Sequence, residues 1–266
     1  VSDGVVAVEK SGMTQAVREA GAVELILVRH GESEGNVAAS QASAAGADII
    51  EVPARDADVG LSATGQDQAL ALGRALAATA EDRRADAVVS SPYVRARQTA
   101  EIAVESAGWP VKVRTDERLR DRELGILDML TRQGVDRWHP DEAERRLWLG
   151  KFYYRPPGGE SWADVALRLR SVLAELNNLG SGHRVMLVCH DAVVLLFRYI
   201  LEGMSEAEIL DLAASTSVLN ASITRYVRPE GQGAWTLESF NVADHLIAQG
   251  VEVTEHAGDA SVHPRR

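Results

Sequence analysis

The residues with the most chemical content lie in one run, Leu27-Val28-Arg29-His30-Gly31-Glu32-Ser33-Glu34-Gly35-Asn36. An apolar stretch delivers an Arg-His pair into a turn. Imidazole attacks phosphorus directly and forms a phosphohistidine. That attack needs a neutral histidine and a phosphate whose charge is partly cancelled. Arg29, next to His30, offers planar, bidentate positive charge to phosphate oxygens. Asn36 offers a further hydrogen-bond donor, and Gly31 lets the backbone approach a ligand closely. A lone histidine after a strand is more often structural; Arg-His-Gly followed by Glu-Ser and Asn is far more specific.

Four other segments share a pattern with this run. They are Ser90-Ser91-Pro92-Tyr93-Val94-Arg95-Ala96-Arg97-Gln98-Thr99-Ala100-Glu101, Val188-Cys189-His190-Asp191, Leu119-Arg120-Asp121-Arg122-Glu123-Leu124-Gly125, and Pro157-Gly158-Gly159-Glu160-Ser161. Together with Leu61 to Gly73, and occurring along the chain in the family's order, they resemble the histidine phosphatase superfamily, also called phosphoglycerate-mutase-like. The resemblance runs from about residue 24 to about residue 201. It implies that His30 is the nucleophile, that Arg29 and Arg95 bind the phosphoryl group, and that His190 is the second active-site histidine. Asp191 stands where the family has glycine. Its backbone N–H, at the start of a helix, can serve the phosphate, while its carboxylate is expected to turn away and cap the helix. Asp121 falls on the position of the general acid, usually glutamate, which protonates the leaving oxygen. Glu123 is its rival, since residues two apart on an extended segment share a side. Arg97 should point elsewhere, and Glu160 should hold an arginine or a turn. No metal and no cofactor are implied.

These residues need a frame. Glu24 to Arg29, Asp86 to Ser90 and Arg184 to Cys189 are short apolar runs that read as buried strands. Helical patterns separate them: one from Thr64, with Thr64 and Asp67 as a capping box, then Tyr93 to Ala107, one from Ser161 with Asp164, and Ala192 to Leu201. Ala221 to Val227 and Ala234 to Phe240 suggest a hairpin around Pro229-Glu230-Gly231. The alternation predicts an α/β three-layer sandwich with a mostly parallel central sheet flanked by helices. Ligands then bind at the C-terminal strand ends, where the motif residues fall. Residues 22–242 would form the domain, with 131–159 as a lid-like helical insertion or a structural excursion with its own aromatic cluster. Residues 37–60 read as a long loop with one helical turn at most. Residues 1–21 and 243–266 are expected to be weakly ordered tails.

The chain has 266 residues and a formal net charge of −11. No basic face argues for nucleic acid, and the longest apolar run, Ala192 to Phe197, is far short of the roughly 20 residues of a membrane span. The first residues lack the pattern of a secretory signal, and the single cysteine, Cys189, allows no internal disulfide, so a cytoplasmic location is expected. The expected partner is a small phosphorylated substrate; oligomeric state is left open, a homodimer included. A metal-dependent phosphohydrolase built on His190-Asp191 is disfavoured, because that pair follows a strand with no supporting ligand pair. Gly31-x-x-x-Gly35 lacks the spacing of a nucleotide loop. A family member that only binds a phospho-ligand is the non-enzymatic alternative. Within the family, mutases carry a Gly-Trp segment soon after Arg-His-Gly. Residues 37–60 have no tryptophan, so phosphatase is preferred to mutase.

Overall fold

All six residues of Glu24–Arg29 are buried, as expected of a strand with neighbours on both sides. In a computed structural model that describes residues 21–178 and 182–256, this segment is one of the two central strands of a six-stranded sheet. In chain order the elements are β1 (Glu24–Arg29), α1 (Glu34–Ala45), α2 (Ala63–Ala77), β2 (Ala87–Ser90), α3 (Val94–Ala107), β3 (Val113–Thr115), α4 (Arg132–Trp138), α5 (Pro140–Tyr153, broken at Gly150), α6 (Trp162–Leu176), β4 (Arg184–Cys189), α7 (Asp191–Leu201), α8 (Glu206–Ser215), β5 (Ile223–Val227), β6 (Thr236–Val242) and α9 (Asp244–Ile247). The sheet order is β3-β2-β4-β1-β5-β6. The first four of these run parallel; β5 and β6 add an antiparallel hairpin.

Alternation along the strands builds two cores. Leu25, Leu27, Val185, Leu187 and Cys189 face α6, α7 and α8, with Trp162, Leu169 and Phe197. Ile26, Val28, Met186 and Val188 face α2 and α3, with Leu72, Ala96 and Ala100. Each buried Leu, Ile or Val contributes about 1.5–3 kcal/mol of transfer free energy. The three-layer α/β sandwich follows from these two faces.

The same alternation aims the site. β1 and β4 are in register at Arg29 and Cys189, and the His30 N–H still bonds the Cys189 carbonyl at 2.9 Å. Continuing the period, His30 and His190 fall on the α3 side, while Arg29 and Asp191 fall on the α7 side.

Several expectations change. Residues 37–60 are loop only beyond residue 45, because α1 occupies 34–45 behind a Ser33–Asn36 capping box. Its alanine-rich turns bury only Ala39 and Ala42, which left no amphipathic signal. The cap of α2 is Ser62, not Thr64: Ser62 Oγ accepts from Gly65 N and donates to Glu32 Oε1 at 2.7 Å. The short edge strand β3 lay outside the sequence reading. Residues 243–256 are not a loose tail. Leu246 is buried, and Gln68 Nε2 donates to Glu252 O at 3.0 Å and Thr254 Oγ1 at 2.9 Å. Residues 1–20 and 257–266 lie outside the described residues.

Gly31 and Gly65 are glycines for a reason other than ligand approach. A Cβ on Gly31 would sit 2.6 Å from Gly65 O, and one on Gly65 would sit 1.9 Å from Glu32 O. The turn after His30 thus presses directly on the start of α2. Gly65→Ala should destabilise the protein by about 2–3 kcal/mol through overpacking against rigid backbone. Urea unfolding measures this, and a loss under about 1 kcal/mol would contradict the close contact.

Candidate active site

His30 is buried at the end of β1. Its Nδ1 lies 2.6 Å from Gly31 O, and a carbonyl only accepts, so the ring proton is on Nδ1. Nε2 therefore keeps its lone pair. Arg95 Nε, on the first turn of α3, approaches that lone pair at 3.3 Å. Burial lowers the His30 pKa well below 6.5, and the nearby charges of Arg95 and Arg29 lower it further. Thr99 ties the two halves together: its Oγ1 accepts from Gly31 N at 3.0 Å and donates to Arg95 O at 2.7 Å.

His190 lies beside His30, ring centroids 5.1 Å apart at 61°. Its Nε2 contacts Ser91 Oγ at 2.9 Å, and its Nδ1 lies 3.3 Å from Asp121 Oδ2 without hydrogen-bond geometry. Burial again lowers its pKa, followed by Arg95 and His30. Arg29 is buried, lines the cavity and donates from Nη1 to Val218 O, while its Nε is buried without a hydrogen-bond partner.

Asp121 accepts from Arg95 Nη2 at 3.1 Å. Its pKa is raised to about 6, because burial and the charges of Asp191 and Asp56 outweigh Arg95. Glu123 shares the same cavity but sits at its rim, where its Oε1 accepts from Tyr93 Oη at 2.8 Å. Asn36 lines the cavity too. Its Oδ1 accepts from Ser33 N at 3.1 Å, so its NH2 group is what remains for a ligand. Arg97 points away, 3.7 Å from exposed Glu101. Glu160 holds arginines, accepting from Arg120 Nη2 at 2.6 Å and Arg168 Nε at 3.0 Å.

Asp191 lines the cavity as the first residue of α7, whose cap position is His190. Burial would raise its pKa, but Arg29 and then Lys151 hold it below the usual range, so it stays ionised.

The seven named residues that share the cavity are Arg29, His30, Asn36, Arg95, Asp121, Glu123 and Asp191, while His190 does not line it and packs edge-on against His30. The cavity measures about 350 Å³. Residues missed at the sequence level also line it. Asp56 grips Arg95, Lys151 and Arg146 come from the 131–159 insertion, and His256 comes from the C-terminal segment. Tyr93 lay inside a quoted motif; the others carried no local signal. Among the described residues no three His, Cys, Asp or Glu side chains are grouped as a metal site, and no helix is long and apolar enough to cross a membrane.

Two imidazoles and two guanidinia at the C-terminal ends of a parallel sheet define a phosphoglycerate-mutase-like domain. The chain belongs to the histidine phosphatase superfamily, branch 1, whose family model matches residues 25–243. It is 30% identical over 209 residues to the 2,3-bisphosphoglycerate-dependent phosphoglycerate mutase of Methylobacterium radiotolerans, covering 75% of this chain and 91% of that one. It resembles the solved mycobacterial glucosyl-3-phosphoglycerate phosphatase in complex with VO3 at 29% identity and a TM-score of 0.64, covering 84% of this chain and 100% of that one. A phosphoglycerate mutase structure from Bacillus anthracis shares the fold at 19% identity and a TM-score of 0.62, covering 88% of this chain and 99% of that one. Relatives thus bear the names of both mutases and phosphatases.

The ring geometry is open to direct measurement. Imidazole nitrogen spectra of the free protein should show His30 neutral at pH 6, with its proton on Nδ1. A His30 imidazolium at pH 6 would contradict the buried, cation-flanked setting.

Proposed function

We propose that the chain is a phosphatase that hydrolyses small phosphomonoesters through a phosphohistidine on His30. The observation that carries the reading is the lone pair of His30 Nε2, fixed by the Nδ1 bond to Gly31 O and facing a cavity walled by Arg29 and Arg95. The site residues have the following roles. Arg29, Arg95, His190, the Asn36 amide and the Asp191 backbone N–H bind phosphoryl oxygens. Their fixed charge and dipoles match the transition state, where electrostatics dominates phosphoryl transfer.

In the first step the Nε2 lone pair forms the N–P bond as the P–O bond to the leaving group breaks. The departing oxygen takes the bond electrons and the proton of Asp121. In the second step water attacks phosphorus and gives its proton to the Asp121 carboxylate. The P–N bond breaks, its electrons return to Nε2, and orthophosphate leaves. Asp121 suits this cycle because it lies beside Arg95 and His190 and carries a raised pKa. Glu123, tied to Tyr93 at the rim, is the less suited acid. The same residues would serve a mutase, in which the phosphoryl returns to substrate. The relative named as a mutase keeps that second reading open to test.

With EDTA present, a panel of phosphomonoesters and 3-phosphoglycerate should yield orthophosphate without isomerisation; isomer formation would transfer the chain to the mutases. His30→Ala should lower kcat by about 10⁴-fold or more. Near-normal turnover in that variant would end the mechanism.

Asp121→Asn should slow alkyl phosphates by about 10²–10⁴-fold and p-nitrophenyl phosphate far less, since only the poor leaving group needs the proton. The acid works protonated, and its pKa is raised to about 6. For alkyl substrates kcat/KM should therefore fall above about pH 6 in the wild type, and this limb should vanish in Asp121→Asn. Equal losses on both substrates would remove Asp121 from the role.

A further inference from the structure

Every N–H of the Arg95 guanidinium is already taken. Nε donates to His30 Nε2 at 3.3 Å. Nη1 donates to the Asp56 carbonyl at 2.7 Å and to Asp56 Oδ1 at 3.1 Å. Nη2 donates to Asp56 Oδ2 at 3.0 Å and to Asp121 Oδ2 at 3.1 Å. A guanidinium carries five N–H groups, so none is left for a ligand. The Asp56 contact is the paired, fork-to-carboxylate kind that a phosphoryl group would itself make. A phosphoryl group on Arg95 must therefore displace a partner. His30 Nε2 gives up its contact when its lone pair turns to phosphorus, which frees only the single Nε–H; of the partners of Nη1 and Nη2, Asp121 sits on a segment tied into the Glu160 network, whereas Asp56 does not.

Asp56 lies in a segment fixed at its ends. At one end Ile49 bridges to Leu130 and Ile50 N bonds Met129 O at 2.8 Å. At the other, Glu34 N bonds Gly60 O at 3.1 Å and Leu61 N bonds Gln98 Oε1 at 2.9 Å. Between these anchors Glu51, Pro53, Ala54, Arg55 and Asp58 are exposed. The Arg55–Asp58 pair there is local and largely solvated, so it adds little rigidity.

We propose that Asp56 is a competing anion on a gate formed by residues 51–58: its carboxylate occupies the phosphoryl seat of Arg95, and substrate binds only after the segment swings off. The inference rests on Arg95 being a phosphoryl-binding arginine. Affinity is then the intrinsic affinity reduced by the fraction of molecules with the gate open. Removing the carboxylate raises that fraction. An anchoring role would do the reverse, because Arg95 would lose its orientation and bind phosphate less well.

The test is calorimetric titration of orthophosphate into the wild type, Asp56→Ala, Asp56→Asn and Arg95→Ala, each checked for folding by circular dichroism. KM for p-nitrophenyl phosphate is measured alongside. Both Asp56 variants should bind orthophosphate about tenfold more tightly, with KM lower in proportion. Unchanged or weaker binding in both would overturn the gate and make Asp56 an anchor. Unchanged orthophosphate affinity in Arg95→Ala would instead remove the premise that Arg95 binds phosphoryl groups, and the gate with it.

Discussion

Two imidazoles stand 5.1 Å apart between two buried guanidinia, and the rest of the site follows from keeping both rings neutral there. Burial removes the water that would stabilise an imidazolium, and Arg29 and Arg95 add repulsion. The arrangement depends on the register of β1 with β4, because a slip of one residue would send one ring to the opposite face of the sheet. The two apolar cores on either side of these strands resist such a slip. Fold stability and nucleophile geometry are therefore set by the same pairing.

The carboxylates that balance the arginines come from less regular segments. Asp121 lies between β3 and α4 in a stretch with neither helix nor strand. Side chains hold that stretch: Arg168 Nη2 donates to Asp121 O at 3.1 Å, Arg122 Nε to Glu160 O at 2.6 Å, and Glu160 draws Arg120 and Arg168 together. Arg168 and Glu160 are mostly buried, so losing Glu160 leaves Arg168 without its carboxylate partner, a cost of about 3–5 kcal/mol for a fully buried pair and less here. The Gly-Gly-Glu-Ser segment thus acts on the site through arginines that hold the Asp121 backbone, without touching the cavity's central groups.

What could be read from sequence divides along physical lines. β1, β2, β4, α3, α6, α7 and the β5–β6 hairpin carry strong local signals, either apolar runs or a wide apolar stripe. His30, Arg29, Arg95 and His190 are legible because each stands at or next to the end of an element, within a motif quoted from the sequence. α1 was not, since alanine-rich turns that bury two side chains leave no periodicity. Asp56, Lys151 and His256 reach the cavity only through tertiary folding of segments far apart in the chain, so no spacing rule could link them to His30. Residues 243–256 looked like a tail, yet they are held by Gln68 and Asn220, which also donates to the His30 carbonyl at 3.1 Å.

The Arg95 contacts also connect substrate binding to the state of the acid. In the free protein Arg95 holds Asp121 and pulls its pKa down, against burial and the neighbouring Asp191. Under the proposed mechanism the phosphoryl oxygens take the Arg95 donors that Asp56 gives up, and the Arg95 charge that compensates Asp121 is then shared with the phosphoryl group. A doubly charged phosphoryl group arriving beside Asp121 adds further repulsion, so the carboxyl holds its proton more firmly. Substrate binding then sets the acid in the form the first step requires. Once the leaving group has taken the proton, Asp121 is a strained anion in a buried, anionic setting. It recovers by taking a proton from water, which is what the second step needs. One guanidinium, shared among nucleophile, acid and phosphate, can in this way time both halves of the reaction without a separate base.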